Sequence, residues 1–280
     1  SMPNNPLVFD DPFHRRRRRR RRQQVLQHSR QVFRRRRLQI AFEVVAVVAA
    51  ASTKRKTDCA VVARAQAVAL ADRVVDAVFA PFLQALEVVA DQTGKILDPN
   101  VLTIVWARRF AGYKRAELLT RDHKRFEELL NNTKYPVQII WAGKPYPLDY
   151  PAINDFNHLV HLSKQYKNVA VCIGYELALS KRLKQAADIW LNNPRVPREA
   201  SGTSGMTAAM NGAVNFSTND GWICEFINHG NNGFVVPPID YENVSVHEQD
   251  EYDLNKLYEI LEDQVLPMYY ENQDVWRQIV

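Results

Sequence analysis

Two short stretches carry the side chains whose types and spacing could do chemistry. In the first, Arg108, Arg109 and Lys114 fall within seven residues on a segment that also holds Gly112. Two guanidiniums and an ammonium so close together could clamp a phosphate from one side, although a solvated basic loop feeding a surface helix has the same composition. The second stretch is Glu199-Ala-Ser-Gly-Thr-Ser-Gly205. Its small residues let backbone approach a ligand, Ser201, Thr203 and Ser204 add hydroxyls, and a helix starting there would turn free N–H groups toward an anion. Glu199 adds a carboxylate suited to sugar hydroxyls, and an ordinary helix N-cap is the plain alternative. Two other groups carry less. His158 and His161 stand three apart on a predicted helix with no third ligand at zinc-site spacing, which reads as a surface or packing pair. Asp220 and Glu225 flank Trp222; a carboxylate pair is conceivable there, but a polar turn with local hydrogen bonds is the preferred reading.

The elements that must position these residues follow from the texture of the chain. From residue 98 onward, short and nearly continuous apolar runs alternate with helix-period segments, the pattern of βαβ units in a parallel sheet covered on both faces. Strands are predicted over 101–106, 137–142, 169–173, 188–191, 214–217 and 222–226. Helices are predicted near 114–130, 151–166 and 177–186, a short one near 206–210, and a closing one carrying Leu254, Leu257, Leu261, Val265 and Met268. The fold class is therefore α/β, a Rossmann-like parallel sheet with helices on both faces. In such sheets ligands bind beyond the carboxyl ends of strands, which is where Arg108, Arg109 and Lys114 fall.

The whole stretch 97–280 resembles the α-glucan (glycogen, starch, maltodextrin) phosphorylase family. The resemblance rests on Arg108-Arg-Phe-Ala-Gly-Tyr-Lys-Arg115, Ala142-Gly-Lys-Pro145, Gly174-Tyr-Glu-Leu177, Ala187-Asp-Ile-Trp-Leu-Asn-Asn-Pro194 and Glu199-Ala-Ser-Gly-Thr-Ser-Gly-Met206, followed by Asn211-Gly212 and Asp220-Gly221. It implies the C-terminal domain of a GT-B glycosyltransferase that lacks its N-terminal partner domain, with α-glucan or maltodextrin and phosphate or sugar phosphate as substrates. It implies further that Arg109 and Lys114 are the catalytic contacts to the substrate phosphate, that Glu199, Ser201 and Gly202 hold the glucosyl unit, and that Arg108, Tyr175 and Thr203 face the phosphate of the family's pyridoxal 5'-phosphate. One position departs: the family's Schiff-base lysine falls at Thr207, and a threonine cannot form an imine. Covalent attachment of pyridoxal phosphate is thus excluded there. The departure opens two alternatives, a nucleotide-sugar-dependent glucan synthase-like enzyme and a cofactor-free inactive relative.

Charge divides the chain. Residues 1–95 carry +11 and residues 96–280 carry −5, so the second part lacks the cationic face of a general nucleic-acid binder. Residues 1–37 form an arginine-rich low-complexity tail with eight consecutive arginines, Arg15 to Arg22, and four more at Arg34 to Arg37. A polyanion-binding protein acting through that tail is the rival reading from another class. Residues 38–96 are an Ala/Val-rich helical segment of unassigned identity, and 97–280 is the phosphorylase-like domain. No run is long enough to span a bilayer, and the N-terminus has no secretory pattern. Cys59, Cys172 and Cys224 form no C-x-x-C pair, which fits reduced thiols in a cytoplasmic protein and no metal.

Overall fold

A computed structural model describes residues 81–280, Tyr175 excepted. The arginine blocks and most of the Ala/Val-rich segment lie outside the described residues. Six strands form one sheet: β1 (Leu102–Ala107), β2 (Val137–Gly143), β3 (Val169–Ile173), β4 (Ile189–Asn192), β5 (Val214–Thr218) and β6 (Gly233–Val236), in the order β3-β2-β1-β4-β5-β6. Every pairing is parallel. This bears out the α/β Rossmann-like reading. Alternate strand residues feed two cores, as a two-residue side-chain period requires. Leu102, Ile104 and Trp106 join Ile139, Trp141, Phe216 and Phe234 on one face. Val105 and Ala107 join Ile140, Ala142, Cys172 and Trp190 on the other.

The second face is covered by α1 (residues 81–93) and α4 (Leu177–Ala186), which bury Leu86, Val89, Leu179 and Leu183. The first is covered by α2 (His123–Leu130), α3 (Tyr150–Ser163) and a C-terminal run that begins with α7 (Val246–Ile260). Ser245 and Glu248 close α7 with a reciprocal capping box. The chain continues through a π turn, Leu261–Val265, into α8 (Leu266–Glu271) and α9 (Gln273–Ile279). Among the described residues no helix is long and apolar enough to cross a membrane.

Two expected elements differ. Residues 114–130 are not one helix but two single-turn 3-10 segments, Gly112–Lys114 and Leu118–Thr120, ahead of α2. Arg115 interrupts them with a left-handed backbone, φ 50°, held by bonds its side chain makes elsewhere. Residues 222–226 are not a strand: Ile223–Phe226 form a helical turn, α6, and the sixth strand is Gly233–Val236. Trp222 N–H is taken by Ser201 O at 2.9 Å, so it is tied to a loop instead of a sheet neighbour.

Candidate active site at the switch point of the sheet

The strand order reverses between β1 and β4, opening a crevice at their carboxyl ends. Residues leaving β1 therefore meet residues leaving β4. Arg108 N–H donates to Ala142 O at 3.0 Å and Phe110 N–H to Lys144 O at 3.2 Å, fixing the first turn after β1 against β2. Phe110 is buried against Trp106 and Phe156, with ring centroids 4.9 and 5.0 Å away. The approach is so close that a Cβ on Gly143 would stand 2.0 Å from Arg108 O. Consecutive arginines then point to opposite environments. Arg108 is 4% exposed, donates to Leu191 O at 3.2 Å and lies 5.4 Å from the centroid of the Trp106 ring, whereas Arg109 is exposed.

Arg115 joins the two crevice walls. It is 1% exposed, donates from Nε to Asn193 O at 2.9 Å and from Nη2 to Pro194 O at 2.9 Å, and Asn193 Nδ2 returns a bond to Arg115 O at 2.8 Å. Trp106 Nε1 donates to Asn193 Oδ1 at 2.9 Å, and Arg195 N–H to Tyr113 O at 2.7 Å. The guanidinium charge is met by Asp250 at 2.9 Å and Asp253 at 2.7 Å on α7. Asp250 also accepts from Arg121 and Arg195. Burial opposes its ionisation, but the bonds from Arg195 and Arg121 and the charge of Arg115 prevail and hold its pKa down at about 2. Asp253 shifts the other way: burial pushes it up, and Arg115 offsets only part of that. Sequence reasoning missed this network. Arg115 closes the first motif, but nothing local links it to carboxylates 135 and 138 residues away.

The β4–α5 loop carries the second motif into the crevice, where α5 is Thr203–Ala209. Asp220 accepts the Glu199 N–H at 2.8 Å and the Gly221 N–H at 2.9 Å. Burial pushes the Asp220 carboxyl up, and those two N–H groups draw it partly back. Asp220 is thus absorbed by backbone while Glu225 is exposed, so the two are a polar turn and not a carboxylate pair. Gly202 has φ 87°, a backbone that favours glycine, and a Cβ there would crowd the Trp222 ring at 3.2 Å. Ser201 and Thr203 are exposed at the crevice.

The two motifs touch directly. Lys114 Nζ lies 3.0 Å from Glu199 Oε2, with the side chains 14% and 11% exposed. Arg108, Arg109, Lys114, Glu199, Ser201, Gly202 and Thr203 therefore all sit on the two segments that follow β1 and β4 and flank one crevice. Tyr175 lies outside the described residues. Thr207 is exposed on α5, its hydroxyl donating back to Ser204 O at 3.1 Å and to Thr203 O at 3.3 Å. His158 and His161 are exposed on α3, and no group of three or more metal-ligating side chains occurs among the described residues.

Residues 72–268 match the family model for carbohydrate phosphorylases. The chain belongs to the carbohydrate phosphorylase family. It is 46% identical over 184 residues to an uncharacterised protein of Methanocaldococcus jannaschii, covering 65% of this chain and 34% of that protein. It is 41% identical over 189 residues to the maltodextrin phosphorylase of Thermococcus litoralis, covering 64% and 22%. It is 38% identical over 184 residues to the glycogen phosphorylase of Aquifex aeolicus, covering 65% and 26%. The chain thus spans about a third or less of these relatives' length. Where the resemblance sets the family's cofactor lysine, this phosphorylase-family chain carries Thr207. That position offers a hydroxyl already bonded to helix carbonyls and no amine that could form an imine.

Proposed function

We propose that this chain forms the C-terminal half of a GT-B α-1,4-glucan phosphorylase-type glucosyltransferase, which moves a terminal glucosyl unit between a glucan and phosphate. The observation that carries the reading is the Lys114–Glu199 contact, which sets a phosphate-type group against a sugar-type group at one crevice. Arg109, exposed, and Lys114 hold the substrate phosphate, and they act as the catalytic contacts. Glu199, Ser201 Oγ and the backbone at Gly202 hold the glucosyl hydroxyls. The protein's work is positioning and charge stabilisation: cations beside an anion keep it against an oxocarbenium-like sugar, with little covalent chemistry asked of any side chain. Arg108, Tyr175 and Thr203 form the second phosphate subsite. Pyridoxal phosphate, the family's cofactor, would have to occupy it without an imine, and no step is assigned to it.

The complementary half of the cleft comes from an N-terminal GT-B domain, a reading supported by the small share of its relatives' length that this chain spans. Tyr146 and Leu148 on the loop after β2, Tyr150 at the start of α3, Ile173 at the end of β3 and Leu177 at the start of α4 stand exposed, at the edge such a domain would cover. The enzyme works in the cytoplasm on soluble glucan.

The test is phosphate-dependent release of glucose 1-phosphate from maltodextrin by a full-length polypeptide carrying this sequence, with and without added pyridoxal phosphate. Release supports the proposal, and none under either condition refutes it. Thr207 favours a second reading, nucleotide-sugar-dependent glucan synthesis. Saturable binding of a nucleoside diphosphate that is lost in Lys114→Ala would select it.

A further inference from the structure

The ion pair at the crevice uses up two groups that the proposed function assigns to different ligands. Lys114 reaches Glu199 at 3.0 Å, with both side chains largely withdrawn from water. Among the described residues, neither has a second charged partner within ion-pair distance. Their loops are anchored by hydrogen bonds. Arg115 holds the Lys114 loop to Asn193 O and Pro194 O, and Asp220 holds the Glu199 N–H. The side chains can therefore change partners while their backbones stay in place.

We infer that Lys114–Glu199 is a latch that couples phosphate and glucosyl binding, so that each ligand binds more tightly when the other is present. This rests on the functional reading of the same site. A phosphate dianion competes with the single carboxylate for the ammonium and repels that carboxylate at short range. Lys114 turns to the phosphate, and Glu199 is left withdrawn from water without a counter-ion, a costly state that sugar hydroxyl donors relieve. A sugar arriving first takes the carboxylate and releases the ammonium in the same way. Either ligand alone must break the latch, and two together break it once. Linkage makes the effect reciprocal.

The experiment measures dissociation constants on the full 280-residue chain at constant ionic strength. Inorganic phosphate is titrated with and without saturating glucose, and glucose with and without saturating phosphate, by calorimetry or ligand-observed NMR. Wild type is expected to show equal tightening in both directions, by about fivefold or more. In Glu199→Gln the phosphate should bind more tightly than in wild type, and glucose should no longer change its affinity. Lys114→Met, with folding checked by circular dichroism, should likewise abolish the coupling. Binding of both ligands to wild type with unchanged constants overturns the latch while leaving the functional reading in place, as does a coupling factor that survives in Glu199→Gln. Failure of wild type to bind either ligand overturns the reading of the site, and the latch with it.

Discussion

Thr207 is one turn along α5 from Thr203, and its hydroxyl is satisfied by the carbonyls of residues 203 and 204. Its side chain is exposed, so the position has room for a longer chain. A lysine there would restore an amine able to condense with an aldehyde. Incubation with pyridoxal phosphate followed by borohydride should leave wild type unmodified at position 207 and label Thr207→Lys, read by peptide mass. A stable adduct at another lysine in the crevice of wild type would contradict the proposal that the cofactor would occupy its subsite without an imine. The adjacent arginines teach a related lesson. Arg108 and Arg109 are chemically alike in sequence, but only the second is exposed, because the turn after β1 brings the first to the Leu191 carbonyl.

At the level of elements, the crevice depends on β2 and α7 as much as on the loops that carry the motifs. Gly143 ends β2, is paired to β3, and packs under Arg108 O. A methyl group there cannot be relieved by a side-chain rotation, because the atom it meets is backbone. Gly143→Ala should cost about 1–3 kcal/mol in urea unfolding, the scale of overpacking, and should weaken phosphate binding. Gly112→Ala, with nothing within 4 Å, should stay within about 0.5 kcal/mol. The α7 network carries a pH signature. Asp250 is depressed to about 2 in the folded protein, below the unfolded carboxyl. Its contribution, on the order of 2 kcal/mol, is present above about pH 4 and is lost as pH falls toward 2. Acid titration of stability should show this fall, and Asp250→Asn should flatten it. Asp253, shifted upward, does not add to that loss.

On the scale of the molecule, and under the proposed function, the described residues form one wall of a cleft between two domains. The relatives that share its family are about three or more times the length that this chain spans in them. Under the proposed function, proximity catalysis needs the second wall to orient the glucan against the phosphate. This chain alone is therefore expected to release no glucose 1-phosphate from maltodextrin in the presence of phosphate. Measurable turnover by the 280-residue chain would show that the crevice between β1 and β4 suffices.

Chemical type and local period are properties of the chain in one dimension, and they made the parallel sheet and the two motifs after their strands legible before any coordinates, while Thr207 stood out only against the family resemblance. The short run Gly233–Val236 escaped notice as a strand, and 222–226 was read as one, because four or five apolar residues carry no period that separates strand from turn. What tertiary structure alone decided are the partners. Lys114 and Glu199 are 85 residues apart, and Arg115 and Asp250 are 135 apart. Their meeting follows from the strand order that sets β1 beside β4 and from α7 returning over the sheet, neither of which is encoded at the residues that meet.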